Sequence, residues 1–199
     1  MEQNNKKKMI GLLAAVALLL AFLAYAPKLN KNGISVQYSG DTENKETRVI
    51  HKGDFSIQAP QGWATSENFP GVLMMISNAG EIVEDPAAKK AGLKSYFTVG
   101  YDSMEGRKWE EYVDNIKVEG KIAVPNLSFK PDRKIKINDR EATILEADGQ
   151  QDDLKMKILV ALIPDKDNGA WNIVFNMPIE KWPEYEDVFN ETINSFQAK

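Results

Sequence analysis

The segment Asp165-Lys-Asp167-Asn-Gly169 has the acidic spacing with which a calcium-binding loop begins. An EF-hand loop requires a third oxygen ligand where Gly169 stands and a glutamate at its twelfth position, where the chain has Asn176. Because neither oxygen is supplied, we predict a solvated hairpin turn; a cation site at Asp165 and Asp167 stays open as the alternative. The pair Asp152-Asp153 is predicted to form another turn, before a strand.

Residue types suited to nucleophilic or metal-assisted catalysis are scarce. The chain has no cysteine and a single histidine, His51, which excludes thiolate nucleophiles, disulfides and multi-histidine metal centres. The motifs of serine hydrolases, zinc proteases, P-loops and dinucleotide-binding loops do not occur, and His51 could join a serine and an aspartate only through the fold. We therefore predict a protein that is not an enzyme, with no catalytic, cofactor-binding or metal-binding residues and no cofactor.

The composition and net charge limit the classes of protein to which the chain can belong. The chain is 43% hydrophobic and 27% charged, which is typical of a globular domain and not of a disordered segment. Its 25 basic residues stand against 29 acidic ones, giving a net charge of −4. Nucleic-acid binding requires a dense basic surface to neutralise phosphates, so we predict no nucleic-acid partner.

Residues 9–26 form an uncharged apolar run directly after Lys6, Lys7 and Lys8. As a helix this run would span roughly 27 Å, near the lower limit for crossing a bilayer. Three hypotheses compete, namely a cleaved signal peptide, a retained signal-anchor and a buried core helix. A core helix should be amphipathic, whereas this run is apolar on all sides, so we set that hypothesis aside.

The end of this run favours the signal-anchor over the cleaved signal peptide. Ala24-Tyr25-Ala26 has the small side chains of a cleavage site, but Pro27 follows, and its fixed φ and missing amide hydrogen fit poorly there. The lysines predict that residues 1–8 stay in the cytoplasm. We therefore predict a single-pass cell-membrane protein, anchored by residues 9–26 and with its C-terminal domain extracytoplasmic. The polar residues 27–48 are predicted to be a flexible tether.

Alternating apolar residues predict strands through most of residues 49–199. Asn138-Asp139-Arg140 separates two of them and is typical of a hairpin turn. Residues 154–163 are apolar on one face and become apolar on the other, which predicts a central, buried strand. The predicted strands cover 55–59, 72–76, 94–101, 134–137, 141–146, 154–163 and 171–177.

Two segments change to the helical period of three and four residues. A short third helix is predicted at 86–92. Strands joined by short turns imply an antiparallel sheet, and each helix needs a sheet face on which to bury its apolar stripe, so the sequence predicts an α+β fold. The two apolar stripes are Trp109, Tyr112, Val113 and Ile116, and Trp182, Tyr185, Phe189, Ile193 and Phe196.

Four short motifs occur in order along the predicted domain. The strand motif Phe-Ser-Ile-Gln-Ala-Pro-x-Gly-Trp occupies 55–63, and Phe69-Pro70-Gly71-Val72 follows. Trp109-Glu-Glu-Tyr112 lies in a predicted helix, and Ile193-Asn-Ser-Phe196 closes the domain. In this order they resemble the PsbP-like family, whose founding member is an extrinsic protein of photosystem II and which includes related periplasmic lipoproteins. The resemblance implies that residues 49–199 form an antiparallel sheet between helices, an α/β/α sandwich that follows the N-terminal transmembrane helix.

The resemblance implies a role in binding, because members generally bind or help to assemble larger complexes, but it transfers no functional residue. We predict a non-enzymatic, membrane-anchored extracytoplasmic domain that binds a protein partner at the cell envelope or assists assembly of a membrane complex. The alternative is a small-ligand or lipid-binding module with a cavity between sheet and helix. Residues 119–131 are a candidate partner-binding loop, Trp63 is predicted to be a packing anchor, and the oligomeric state stays open.

Overall fold

The computed structural model of the protein describes residues 48–66, 72–124, 126–166 and 168–199. The predicted cytoplasmic segment 1–8, the anchor 9–26 and all but the last residue of the tether lie outside these residues, as do Phe69-Pro70-Gly71 and Asp167. Within the described residues, none of the helices combines the length and the apolar character needed to cross a bilayer.

The seven predicted strands and three predicted helices occur in the predicted order, and the described chain also contains four strands that were not predicted. The strands are β1 Arg48–Lys52, β2 Phe55–Ala59, β3 Ala64–Ser66, β4 Met74–Ser77, β5 Tyr96–Ser103, β6 Ser128–Phe129, β7 Arg133–Ile137, β8 Arg140–Gln151, β9 Leu154–Pro164, β10 Gly169–Pro178 and β11 Gln197–Ala198. The helices are α1 Pro86–Ala91, α2 Trp109–Ala123 and α3 Trp182–Asn194, and a 3₁₀ turn, Ile179–Lys181, leads into α3.

One antiparallel sheet of eight strands forms the body of the domain. Its order is β3-β4-β5-β10-β9-β8-β6, and β7 also pairs with β8. The β7–β8 hairpin turns at Asn138 and Asp139, both with positive φ, as the sequence predicts. Asp152 also has positive φ, in the turn between β8 and β9, and β9 is the buried central strand that its two apolar faces predict.

Helices cover both faces of this sheet, which confirms the predicted α+β arrangement. On one face Phe97 and Phe175 stack 4.8 Å apart, and Phe189 of α3 meets Phe175 edge-on at 4.9 Å. On the other face Ala88 of α1 and Tyr112 of α2 are buried against the sheet. Burial of these two apolar layers is the main stabilising contribution to a domain of this size.

Helix α1 is short and depends on its caps. Asp85 accepts a hydrogen bond from the Ala88 amide at 2.7 Å, and Pro86 begins the helix, where a missing amide hydrogen matters little. Gly92 ends it with φ of 67°, a conformation that favours glycine. The predicted helix at 86–92 is therefore confirmed.

A second, small sheet was not predicted. It has the order β1-β2-β11 and joins the first described strands to the last. Gln58 donates its amide hydrogen to Ser195 Oγ at 2.8 Å, which fastens β2 to the end of α3. The free edge of β11 is covered by side chains, because Asn138 donates to the Phe196 carbonyl at 2.6 Å and Arg140 to the Ala198 carbonyl at 3.1 Å.

Three tryptophans attach peripheral elements to the large sheet. Trp63 is buried against Tyr185 and Phe97, with ring centroids 5.5 and 6.1 Å away, which confirms it as a packing anchor. Trp109 donates its Nε1 hydrogen to Thr143 Oγ1 at 3.1 Å. Trp109 and Trp182 pack against the two cores but stay partly exposed, so each buries less surface than a core tryptophan.

Candidate functional site

Of the candidate acidic residues in the predicted turns, the structure describes Asp152, Asp153 and Asp165, whereas Asp167 lies outside the described residues. Asp165 Oδ1 accepts a hydrogen bond from Arg140 Nη1 at 3.0 Å, and the Asp165 amide donates to the Gly169 carbonyl at 2.9 Å, closing the predicted hairpin turn. Asp152 and Asp153 lie exposed in their turn. In the part of the chain that the structure describes, no three acidic or histidine side chains gather.

The remaining sequence candidates separate into core and surface residues. His51 lies exposed on the edge strand β1. The segment 119–131 is not the open loop that we expected, because α2 continues to Ala123 and because Val124 and Leu127 are buried core residues. Ile122 is the exception, with 72% of its surface exposed.

Four buried polar side chains of two neighbouring strands lie together on the sheet face that α1 and α2 cover, and we call them the polar row. They belong to the neighbouring central strands β5 and β10, whose pairing places Thr98 opposite Val174, between two asparagines of β10. All four are at least nine-tenths buried, with exposed fractions of 1 to 6%. The polar row consists of Thr98, Asp102, Asn172 and Asn176.

One end of the polar row is centred on a buried carboxylate. Asp102 Oδ2 accepts hydrogen bonds from Tyr112 Oη at 3.1 Å and from Asn172 Nδ2 at 3.0 Å. Tyr112 comes from α2, so this contact also links the helix to β5. At the other end, Asn176 Nδ2 donates to Tyr96 Oη at 3.0 Å.

The polar row also holds oxygen atoms that the described residues leave without a hydrogen-bond partner. These atoms are Thr98 Oγ1, Asn172 Oδ1 and Asn176 Oδ1. Buried polar atoms are normally satisfied by protein or by ordered water, and an unsatisfied one costs about 1–3 kcal/mol. Three of them on adjacent strands of one face mark this place as the least satisfied part of the described core.

Burial raises the pKa values of two carboxyl groups at this site, and the charge of one adds to the rise of the other. Burial raises the pKa of Asp102, and the hydrogen bonds from Tyr112 and Asn172 oppose that rise. Burial also raises the pKa of Glu119 on α2; the nearby charge of Asp102 adds to this rise, and Arg107 opposes it. The site therefore holds two neighbouring carboxyl groups whose pKa values are both raised.

Two apolar side chains on α2 face away from the sheet, and we call them the helix patch. Val118 is 56% exposed and Ile122 is 72% exposed. They are four residues apart, so they lie on one side of the helix. The same outward stripe carries Glu111 and Asp114 in the first half of the helix, as a solvated face should.

The polar row was not identified from the sequence, because the pattern of its strand indicated a face in contact with solvent. Asn172 and Asn176 alternate with apolar residues, the pattern of a strand with one solvated face. Every residue of β10 is buried, since helices cover both faces of the sheet. Val174 between the two asparagines was the available signal, because a solvated face would not normally carry a valine at its centre.

No protein-family model matches the sequence, and no curated protein matches it. The solution structure of the cyanobacterial PsbP protein CyanoP from Synechocystis sp. PCC 6803 matches with a TM-score of 0.59 at 11% identity, covering 80% of this chain and 96% of that one. LpqN of Mycobacterium tuberculosis, involved in cell envelope biogenesis, matches with 0.54 at 10%, covering 76% and 90%.

The Saccharomyces cerevisiae Ran-binding protein Mog1p matches with a TM-score of 0.54 at 13% identity, covering 78% of this chain and 96% of that one. At such identities a structural likeness shows fold and not function. The resemblance read from the sequence is thus confirmed at the level of architecture: the described domain has the fold of PsbP-like proteins.

Proposed function

We propose that the chain is a non-enzymatic, membrane-anchored extracytoplasmic domain that binds a protein partner or assists assembly of a membrane complex. The observation that carries this proposal is the helix patch, in which Val118 and Ile122 keep more than half of their surface in water. Apolar anchors of this kind contribute to association when a partner removes them from solvent.

The helix patch is held on a rigid support, which favours binding. At Gly120 a Cβ atom would lie 3.1 Å from Leu127 and 3.3 Å from Phe129, so the helix packs closely on the segment that follows it. A side chain on a rigid helix loses less conformational freedom on binding than one on a loop. The second half of α2 is therefore suited to present Val118 and Ile122.

The sheet edges argue for a side-chain surface and against strand addition. In the described part of the chain, the edge strands β3, β6 and β7 of the large sheet have three, two and five residues, and β7 carries Arg133, Lys134 and Lys136. The edge strand β1 of the small sheet carries Arg48, His51 and Lys52. Short and basic edges discourage pairing with a further strand.

Proteins of this fold offer two precedents. Mog1p is a Ran-binding protein, and LpqN is involved in cell envelope biogenesis. Both support the proposal by analogy of fold. The single-pass cell-membrane location rests on residues 9–26 and the lysines before them.

Site-specific photocrosslinking in native membranes tests the partner. A photoreactive residue at position 122 or 118 should give a discrete crosslinked product that mass spectrometry identifies. The matched control is position 111, three helical turns from Ile122 on the same stripe, because Glu111 is exposed and outside the helix patch. Equal products at 111 and 122, or no product at 118 and 122, would refute the helix patch as the partner site.

A second candidate function is a small-ligand module with its site between sheet and helix. The unsatisfied oxygens of Thr98, Asn172 and Asn176 favour it. They also favour a polar ligand over a lipid, because a hydrocarbon chain would leave those oxygens without partners.

A further inference from the structure

A cavity lies between the two sheets, where the β7–β8 hairpin meets the free edge of β11, and we call it the sheet cavity. Its volume is about 320 Å³, which falls within the range of small-molecule sites. Two side chains of the hairpin bridge the gap: Asn138 Nδ2 donates to the Phe196 carbonyl at 2.6 Å, and Arg140 Nη2 donates to the Ala198 carbonyl at 3.1 Å. These two hydrogen bonds hold the walls of the sheet cavity in place.

The base of the sheet cavity is closed, whereas its rim is polar and open to solvent. Ile137, Ile163 and Phe196 line the base, and each has at most 2% of its surface exposed. Asn138 and Gln197 line the rim, and both are exposed. A molecule that arrives from solvent can therefore reach the polar groups of the rim directly.

Arg140 is the charged residue of the sheet cavity. Its Nη1 donates to Asp165 Oδ1 at 3.0 Å and its Nη2 to the Ala198 carbonyl, so the plane of the guanidinium is fixed. The side chain nevertheless keeps 24% of its surface exposed. A guanidinium has five N–H groups, and contacts within the described part of the chain occupy two of them. The others can donate to a molecule in the sheet cavity.

We propose that the sheet cavity binds a small organic carboxylate. Its polar side chains, Asn138, Arg140 and Gln197, all carry N–H donors, and none of its lining residues is acidic. A carboxylate offers two acceptor oxygens that match the fork of a guanidinium, and such charge-assisted hydrogen bonds are about twice as strong as neutral ones. An ammonium group would instead place a second cation beside Arg140. This inference goes beyond the proposed function and does not depend on the helix patch.

Asp165 limits the affinity of the sheet cavity for an anion, because its carboxylate shares the Arg140 guanidinium with the ligand. Asp165→Asn keeps an oxygen acceptor for Arg140 Nη1 and removes the negative charge. Two unit charges about 4 Å apart in water interact by an energy that corresponds to about a fivefold change in affinity. The variant should therefore bind a carboxylate about fivefold more tightly than wild type.

Binding is tested with sodium propionate on the full-length chain purified in detergent, at constant ionic strength. Nitrogen–proton NMR spectra should show shifts of the side-chain signals of Arg140 and Gln197, with a dissociation constant of about 1–10 mM for so small a ligand. Propionamide is the matched control, because it keeps the three-carbon body and one acceptor oxygen and loses the charge. Propylammonium chloride reverses the charge. Neither control should shift these signals at the concentrations at which propionate does.

A pair of glutamines provides variants that leave the contacts of Arg140 in place. Gln197 is exposed, and its side chain makes no hydrogen bond within the described residues, so Gln197→Glu should add a charge at the rim and weaken propionate binding about fivefold. Gln151→Glu is the control: Gln151 is also exposed and ends β8, which Arg140 begins, so about 35 Å separates the two. It should leave the dissociation constant unchanged. Neither variant should shift the melting temperature by more than about 2 °C.

Several outcomes would overturn the proposal. Propionate that shifts neither the Arg140 nor the Gln197 signals, or propionamide that binds as tightly as propionate, would show that the sheet cavity does not recognise a carboxylate. Weaker binding by Asp165→Asn would show that the ligand is not recognised as an anion. Equal weakening by Gln197→Glu and Gln151→Glu would show a general effect of charge and no site. None of these outcomes affects the crosslinking result at position 122.

Discussion

Replacing Gly100 with alanine should displace Asn172 of the polar row and destabilise the domain. Gly100 lies opposite Asn172 in the β5–β10 pair. A Cβ atom at Gly100 would lie 2.4 Å from Asn172 Oδ1 and 3.1 Å from its Cγ, which is too close for either to stay in place. Asn172 is 1% exposed and donates to Asp102, so its amide can move only by disturbing that hydrogen bond.

The expected loss follows from three contributions. Forcing a methyl group into a closely packed core costs about 1–3 kcal/mol. Losing a hydrogen bond to a buried carboxylate costs about 1.5–3 kcal/mol. Alanine also has a smaller conformational entropy than glycine in the unfolded chain, which stabilises the variant by about 0.4–1 kcal/mol. Gly100→Ala should therefore lower the free energy of unfolding by about 3–4 kcal/mol.

Urea unfolding followed by tryptophan fluorescence measures this loss. Gly80→Ala is the control, because the nearest atom to its Cβ would be Asn78 Oδ1 at 3.9 Å, and it should stay within about 1 kcal/mol of wild type. In Gly100→Ala/Asn172→Ala the new methyl group gains room, so the double variant should lose about 2 kcal/mol less than the sum of the single losses. A loss below about 1 kcal/mol for Gly100→Ala, or strict additivity, would refute the reasoning.

Four further predictions follow from the same structure and sequence. The pKa of Asp102 is raised in the folded state, so between the unfolded and folded pKa values the folded protein holds a proton that the unfolded chain has released. The stability of the wild type therefore falls as the pH rises through this interval. Asp102→Asn should gain stability relative to wild type from about pH 4 towards neutrality, as measured by urea unfolding at several pH values. Trp109→Phe should lose about 1 kcal/mol in the same assay, through the hydrogen bond to Thr143, and Trp182→Ala about 2–3 kcal/mol, below the range for fully buried tryptophans. A chelator should leave the melting temperature unchanged, and a clear fall would revive the cation site at Asp165. Wild-type protein should stay with membranes after carbonate washing and keep its N-terminal sequence, whereas Pro27→Ala should yield a shorter, released product; a wild-type N-terminus at Pro27 would contradict the anchor.

Local patterns were sufficient for the longer strands of the large sheet, whereas its short edge strands β3 and β6 were not predicted. Alternation of polar and apolar residues defined β10, and β9 was visible as an apolar run because its side chains face two apolar layers. The turn at Asn138-Asp139 joins strands that are adjacent in sequence. The period of α2 and α3 was visible because each buries only one side. These elements depend on contacts within one strand, one turn or one helix.

The small sheet and the site depend on contacts distant in sequence. The pairing of β11 with β2 joins opposite ends of the domain, and no local pattern specifies that partner. Lysine is rarely buried unless it is paired, yet Lys157 of β9 is only 3% exposed. It pairs with Glu146 at 2.9 Å and lies 5.7 Å from the Trp182 ring centroid. A polar residue in a strand is buried or exposed according to which helix covers it, and the strand itself does not contain that information.

The small sheet has a consequence for the order in which the domain folds. The hydrogen bond from Gln58 to Ser195 spans 137 positions of the sequence. Closing a loop of that length costs about 2 kcal/mol more in chain entropy than closing a ten-residue one. Contacts between residues so distant in sequence form after the local hairpins of β7 to β10, which reduce the number of chain conformations still to be searched. The small sheet is therefore a late step, and its contacts govern the rate at which the domain opens more than the rate at which it forms.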